Sequence, residues 1–210
     1  MSEKMSTSTR DRLVVAVAEL MRTQGYSAIT VKQITAAAGA PMGSLYHHFP
    51  HGKVQIAAEA LRSTGAAYIQ LLPLLMDPHE DLRTAVPAAF DEAARTLEES
   101  GWMNMCPVGT VAGEIADSEP ALRGAAAEVA RDWIDRGTAY FVGRGLGEPA
   151  ARELILAILC ALEGAFILGR TLRSTEPLHA AGRAMAARVD ALLAGSEPSL
   201  PRDRGAPADY

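Results

Sequence analysis

The side chains between residues 30 and 53 include the hydroxyl, imidazole and amino groups that commonly contact nucleic acids. Ser44 and His47 are the best candidates for contacts to base edges. Four other side chains suit contacts to phosphates, which fix the register of a protein on DNA without reading its sequence. These four are Thr30, Lys32, Tyr46 and Lys53, of which Lys32 could equally face solvent.

Three further residues of this stretch have no polar side chain. Gly43 would let a helix lie close to a DNA groove, so that its neighbours reach bases or phosphates, although it could also be a packing glycine. Pro41 and Met42 are apolar and could touch thymine methyl groups or nothing at all.

The histidines of the same stretch do not predict a metal site. His47, His48 and His51 have spacings that could hold an ion on a helix. Pro50 and Gly52, however, end any helix between them, and no cysteine or carboxylate lies nearby. We therefore expect no metal.

Cys106 is a candidate for redox chemistry or catalysis. It precedes Pro107 at an expected helix start, where the helix dipole would favour a thiolate. A buried structural cysteine is the alternative. An enzyme would need a base such as His79 or His179, and the chain has no nucleophile motif, phosphate loop or paired-carboxylate spacing. We expect neither an enzyme nor a cofactor.

Large apolar side chains in the second half of the chain could line a ligand cavity, because methionines adapt to irregular shapes. Each one alone is more typical of a core residue. The candidates are Phe90, Trp102, Met103, Met105, Val111, Trp133, Tyr140 and Phe166. Glu163, inside the most apolar segment, could line the same cavity, pair with Arg170 or Arg173, or lie hydrated at an interface edge.

Three short helices would position the candidate DNA contacts. Apolar residues at helical spacing predict a first helix over residues 9–25. Thr30 and Gln33 form a capping box that begins a second helix, which ends at Gly39. A third helix follows over residues 42–49, with Pro41 at its first position. Two short helices joined by a tight turn and supported by another make a helix-turn-helix.

The remainder of the chain is also predicted to be helical, without a strand, so the expected fold class is all-α. A long helix over residues 53–75 would connect the two parts. Further helical patterns cover residues 82–100, 107–117, 120–142, 148–172 and 177–193.

Composition and charge agree with an intracellular globular protein. The 210 residues are 49% apolar, which is ample for a core. Residues 1–62 have seven basic and four acidic side chains, a net charge of +3, whereas the remainder has a net charge of −8. A basic part on an acidic protein suits phosphate binding. The N-terminus has no export signal, two distant cysteines predict no disulfide framework, and the apolar run over residues 154–168 is too short to span a bilayer. We expect a cytoplasmic protein with a buried helix there.

The stretch from Thr30 to Phe49, followed by Lys53, resembles the DNA-binding signature of TetR-family regulators. The matching positions are Thr30, Ile34, Ala38, Gly39, Gly43, Leu45, Tyr46, His48, Phe49 and Lys53. The rest of the chain is similar to the LmrA/YxaF-type subgroup, through residues 106–108, 116–120 and 162–165.

This resemblance implies a helix-turn-helix head at residues 8–54 and a ligand-binding and dimerisation body at residues 55–194. Residues 195–210, rich in proline, glycine, arginine and aspartate, are expected to form a disordered tail. The resemblance also implies an Ω-shaped homodimer in which the last two long helices of each chain form a four-helix interface. The implied function is a repressor that binds a palindromic operator and is released by a small lipophilic effector. A DNA-binding architectural protein without a ligand is the remaining alternative.

Overall fold

The computed structural model describes residues 8–115 and 118–196, and the side chains to residue 194. These residues form ten helices and no strand, which confirms the all-α prediction. The helices are α1 Thr9–Gln24, α2 Val31–Ala37, α3 Met42–His48, α4 Gly52–Tyr68, α5 Leu71–Met76, α6 Leu82–Glu99, α7 Pro107–Ile115, α8 Pro120–Gly143, α9 Glu148–Leu172 and α10 Glu176–Ser196. Helix α10 extends two residues into the predicted disordered tail, and residues 197–210 lie outside the described part of the chain.

Local signals determine the head helices. The Ser8 side chain caps α1 by accepting a hydrogen bond from the Asp11 N–H at 3.1 Å. The capping box at the start of α2 forms as predicted, with Thr30 and Gln33 each bonding the other's backbone N–H. Gly39 has a φ of +57°, which allows the tight turn between α2 and α3.

Two buried apolar side chains, one in α3 and one at its end, hold this helix against the rest of the head. Leu45 is fully buried, and Phe49 is 2% exposed. They pack in one core with residues of α1, α2 and α4, including Leu13, Ile34 and Ile56. The opposite face of α3 is therefore left on the surface.

Two predicted boundaries are wrong. Pro41 is the N-cap of α3, with an extended ψ of 147°, and does not lie inside the helix. The long helix over residues 53–75 is two helices that break between Tyr68 and Leu71. Pro73 explains the break, because its ring clashes with the Ile69 carbonyl and offers it no N–H. That carbonyl accepts from the Leu72 N–H in a tighter turn instead.

Helices α4 and α8 are in close contact where α4 ends. A Cβ on Gly65 would collide with the side chain of Val129 in α8, so the two helices approach each other only because residue 65 is glycine. The indole Nε1 of Trp133 donates to the Gly65 carbonyl at 2.8 Å, one turn further along α8. This contact fixes the end of α4 to the body.

Helix α9 has one buried and one exposed face. By length and composition it is the one helix in the described residues that could cross a bilayer, and only 28% of its most apolar window is buried. Ile167 and Leu168 are 55% and 54% exposed, and Leu156 and Leu172 lie on the surface with them. The prediction of a wholly buried helix is therefore wrong for the single chain.

Candidate DNA interface and ligand cavity

The outer face of α3 carries most of the predicted base contacts. Met42, Gly43, Tyr46 and His47 are exposed there, and Ser44 is partly exposed. A Cβ on Gly43 would meet no atom of the chain within 4 Å, so packing inside the protein does not require a glycine at this position. Gly43 instead leaves the surface of α3 flat, which is what close approach to a groove requires.

The predicted backbone contacts flank this face. Thr30, Lys32 and Pro41 are exposed near the ends of α2 and α3. The Thr30 hydroxyl donates to Gln33 at 2.8 Å as part of the capping box, so its position is fixed. Contacts of these residues with DNA remain predictions.

Lys53 already has a partner inside the protein. Its amino group lies 4.1 Å from the centroid of the Tyr26 ring, a distance at which the cation is attracted to the ring face. Burial lowers the pKa of Lys53, while the charges of Glu114 and Glu119 oppose that change. Lys53 thus helps to hold the loop between α1 and α2, and a phosphate contact by this residue remains a prediction.

A carboxylate from the body holds the same loop. Glu114 in α7 accepts hydrogen bonds from the backbone N–H groups of Tyr26 at 2.6 Å and Ser27 at 2.8 Å. Burial alone would raise the pKa of Glu114, but the hydrogen bonds from Ser27 and Tyr26 and the charge of Lys53 outweigh burial and lower it. Burial and the Glu119 carboxylate raise the pKa of the Tyr26 hydroxyl to about 12. We call this contact of Glu114 with Tyr26 and Ser27 the α7 junction.

Glu114 is not among the functional residues that the sequence predicts. It is the single charged side chain in α7, whose other residues are apolar or small apart from one threonine. That isolation is the signal that could have marked it.

A second connection joins the head to the segment between α6 and α7. Arg22 in α1 donates to the Asn104 side-chain oxygen at 3.2 Å and is paired with Glu19 on its own helix. On the other side of the loop, Arg170 of α9 donates to the Thr23 carbonyl at 3.5 Å. The head is therefore attached to the body through polar contacts as well as through α4.

A cavity of about 370 Å³ lies in the body between α4, α5, α6, α8 and α9. Its wall is mainly leucine, isoleucine and aromatic side chains. Four of the eight predicted ligand contacts line it, namely Phe90, Met105, Trp133 and Phe166. Asn104, which binds Arg22, also lines the cavity.

The other four predicted ligand contacts lie away from the cavity. Trp102 lies in the α6–α7 loop with a φ of 67°, and Met103 beside it is 40% exposed. Val111 is fully buried in the core that α7 shares with the head. The Tyr140 hydroxyl donates to Asp77 at 2.7 Å outside the cavity. We no longer expect ligand contacts from these residues.

Cys106 lines the cavity as a buried thiol. Burial, followed by the neighbouring Glu163 carboxylate, raises the pKa of Cys106 well above its usual range. The buried structural cysteine is therefore favoured over the thiolate: the helix start contributes backbone hydrogen bonds from Gly109 and Val108, but burial outweighs them. His179 pairs with Asp91 at 2.8 Å, so it is not a base for this thiol.

Glu163 also lines the cavity, one of the three positions that the sequence left open. Burial raises its pKa, and the Cys106 thiol lies within hydrogen-bonding reach of the carboxylate. Its carboxylate packs against the Cα of Gly109, where a Cβ would collide with it. No ion pair joins Glu163 to Arg170 or Arg173 in the described residues.

Comparisons with known proteins agree with both halves of this arrangement. The family of bacterial regulatory proteins named tetR matches residues 13–60, and the C-terminal domain of LmrA/YxaF-like transcriptional regulators matches residues 83–184.

Individual relatives extend the match over most of the chain. The uncharacterized HTH-type transcriptional regulator YxaF of Bacillus subtilis is 31% identical over 81% of this chain and 89% of its own length. The HTH-type transcriptional repressor NemR of Escherichia coli is 25% identical over 85% of this chain and 92% of its own length. A crystal structure of a TetR transcriptional regulator from Chloroflexus aurantiacus superposes with a TM-score of 0.70 and 27% identity, covering 87% of this chain and 94% of that one.

The exposed helix-turn-helix and the two matching domains lead to one conclusion. The chain belongs to the TetR family of DNA-binding transcriptional regulators, with a C-terminal domain of the LmrA/YxaF-like type.

Proposed function

We propose that the protein is a cytoplasmic repressor that binds a palindromic operator as a homodimer and is released when a small lipophilic effector fills its cavity. The observation that carries this proposal is the connection between the cavity wall and the head. Asn104 lines the cavity and binds Arg22 of α1. An effector that favours a different wall geometry must weaken operator binding by the same coupling factor.

The proposed DNA contacts come from the outer face of the helix-turn-helix. Ser44 and His47 would contact base edges, and Gly43 would allow α3 to lie close to them. The remaining proposed contacts are Thr30, Lys32, Pro41, Met42, Tyr46 and Lys53. Their contribution would be to fix the register on the phosphate backbone or to touch thymine methyl groups.

The exposed face of α9 supports the homodimer. Leu156, Ile167, Leu168 and Leu172 are the exposed large apolar side chains of this helix and make up its apolar surface, and α10 lies beside it. An apolar surface that the single chain leaves in water is typical of an interface with a second copy. A two-fold dimer would present its two α3 helices to successive major grooves, which explains why a palindromic operator is proposed.

We propose repression, and not activation, because a relative of this chain is named a repressor. The relative NemR is named a transcriptional repressor. A dimer of this kind on DNA upstream of a gene would exclude other proteins from the same site.

Operator binding is the direct test of the proposed function. Fluorescence anisotropy with DNA from upstream of its own gene should give binding far tighter than to random DNA, with a steep loss of affinity as salt rises. A thermal-shift screen of lipophilic compounds should then find ligands that also release the operator. Equal affinity for upstream and random DNA would contradict the repressor.

Two substitutions should separate base contacts from phosphate contacts. His47→Ala is expected to cost about 1–3 kcal/mol on the operator and to leave binding to random DNA nearly unchanged. Lys32→Gln should weaken binding to both DNAs alike and reduce the salt slope by about one.

A remote charge change controls for net charge. Arg95→Gln removes one positive charge from the exposed surface of α6, and we expect unchanged operator affinity. If His47→Ala weakened both DNAs equally, His47 would not be a base contact.

A further inference from the structure

The charged groups of the cavity are all of one sign. Among the described residues that line it, Glu92 and Glu163 are the charged side chains, and no lysine, arginine or histidine accompanies them. Glu92 forms an ion pair with Arg95 and its side chain is 37% exposed, so its charge is already balanced. Glu163 forms no ion pair with any described residue.

A glycine at residue 109 leaves space for the Glu163 carboxylate. The carboxylate packs against the Cα of Gly109 in α7, and any side chain at residue 109 would displace it. Among the described residues, the hydrogen-bond donor recorded for it is the Cys106 thiol, which is a weak donor. A carboxylate held in an apolar wall with so little compensation is costly to the protein alone, and a cationic ligand would remove that cost.

Aromatic side chains line the same cavity as this carboxylate. Tyr68 and Trp133 are stacked with their rings 6.4 Å apart and 16° from parallel, and both line the cavity. Burial is the main reason that the pKa of the Tyr68 hydroxyl is raised; the charges of Cys106, Glu19 and Glu163 add to this in that order, and Arg22 opposes them. A cavity lined by both a carboxylate and aromatic rings is a favourable surrounding for an organic cation.

We propose that the effector is a lipophilic amine, whose protonated nitrogen pairs with the Glu163 carboxylate while its apolar part fills the rest of the cavity. This inference rests on the proposed effector role of the cavity. It adds the charge of the ligand and the residue that selects it.

Three compounds on one apolar skeleton test the charge preference: 4-phenylbutylamine is a cation at neutral pH, 4-phenylbutan-1-ol is neutral, and 4-phenylbutanoate is an anion. Isothermal titration calorimetry on the full chain should show the amine binding about tenfold tighter than the alcohol, and the anion weakest, since hydrogen bonds to charged groups contribute this much.

The Glu163→Gln variant should remove the preference for the amine and leave the affinity for the alcohol unchanged. Retained alcohol binding shows that this variant is folded and that its cavity is intact. Glu92→Gln is the matched control, because it removes a carboxylate of the same wall that already has Arg95 as a partner. This control should keep the preference for the amine.

The possible results separate the two proposals. If the alcohol binds and the amine binds no tighter, or if Glu163→Gln keeps the preference, the charge inference is wrong and the effector cavity stands. If none of the three compounds binds and no lipophilic compound releases the operator, the proposed effector role is wrong and the inference falls with it.

Discussion

Replacing Leu168 with aspartate is expected to convert the proposed dimer into a monomer and to lower operator affinity by about 100-fold or more, because the second half-site contact becomes a separate binding event. Leu168 is 54% exposed in the single chain and belongs to the apolar surface of α9. In a two-fold interface each copy would place this aspartate against the other, so two carboxylates would be desolvated without a partner. Sedimentation velocity and operator anisotropy measure the two effects.

Val142→Asp is the matched control for this change. Val142 is an apolar residue that is 42% exposed, but it lies on α8 and outside the apolar surface of α9. We expect this variant to remain a dimer with full operator affinity. A Leu168→Asp protein that stayed dimeric would place the interface elsewhere.

The free thiols offer an independent measurement of the interface. Cys160 is exposed on the same face of α9, whereas Cys106 is buried. If the proposed dimer forms, an aromatic disulfide reagent should modify Cys160 slowly in the wild-type protein and rapidly in the Leu168→Asp variant. Equal rates would indicate that Cys160 is not covered by a partner.

Removing the Glu114 carboxylate is expected to weaken the attachment of the head. Glu114→Ala leaves the N–H groups of Tyr26 and Ser27 without their acceptor, and we expect a loss of about 1–2 kcal/mol in the free energy of unfolding. The estimate is at the low end for two bonds to a charge, because solvent reaches this site. Urea unfolding measures the loss, and hydrogen exchange at residues 26 and 27 should accelerate.

The stabilisation of the folded protein by Glu114 should depend on pH. The pKa of Glu114 is lowered in the folded protein, so its stabilisation is present above the unfolded pKa of about 4.3 and is lost as pH falls through the folded value. The difference between wild type and Glu114→Ala should therefore be full at neutral pH and shrink in acid. A constant difference across this range would show that charge is not involved.

Glu128→Ala provides the comparison for the junction. Glu128 pairs with Arg62 through an exposed ion pair between α8 and α4, at 2.7 Å. Such pairs contribute little to stability because solvent screens the two charges, so we expect a smaller loss than for Glu114→Ala. A loss as large as that of Glu114→Ala would mean that the α7 junction has no special role.

The head was predictable from sequence because its signals are local. The capping box of Thr30 and Gln33 and the turn at Gly39 each act within a few residues, so the bounds of α2 follow from them. The exposed face of α3 follows as well, once Leu45 and Phe49 are placed in the core. The DNA-binding motif resemblance and the helix physics thus describe the same surface.

The cavity was only half predictable, because residue type indicates burial but does not identify the void that a side chain meets. Phe90 and Val111 are equally apolar and equally buried, yet one lines the cavity and the other lies in the core beneath the head. The contact of Glu114 with the loop after α1 joins residues almost ninety positions apart, and no local pattern reports such a contact. The position of Glu163 likewise depends on packing against Gly109.

The contact of α4 with α8 would act as a pivot, about which a small tilt of α4 displaces the head. Gly65 is held by Val129 and by the Trp133 indole, and the same indole is part of the cavity wall. Lys53 at the other end of α4 lies about 18 Å from this contact, because an α-helix rises 1.5 Å per residue. A tilt of about 5° would therefore move the head by roughly 1.5 Å. Across a two-fold axis the two displacements add, so the spacing of the paired heads would change by roughly 3 Å, close to one base-pair step of DNA.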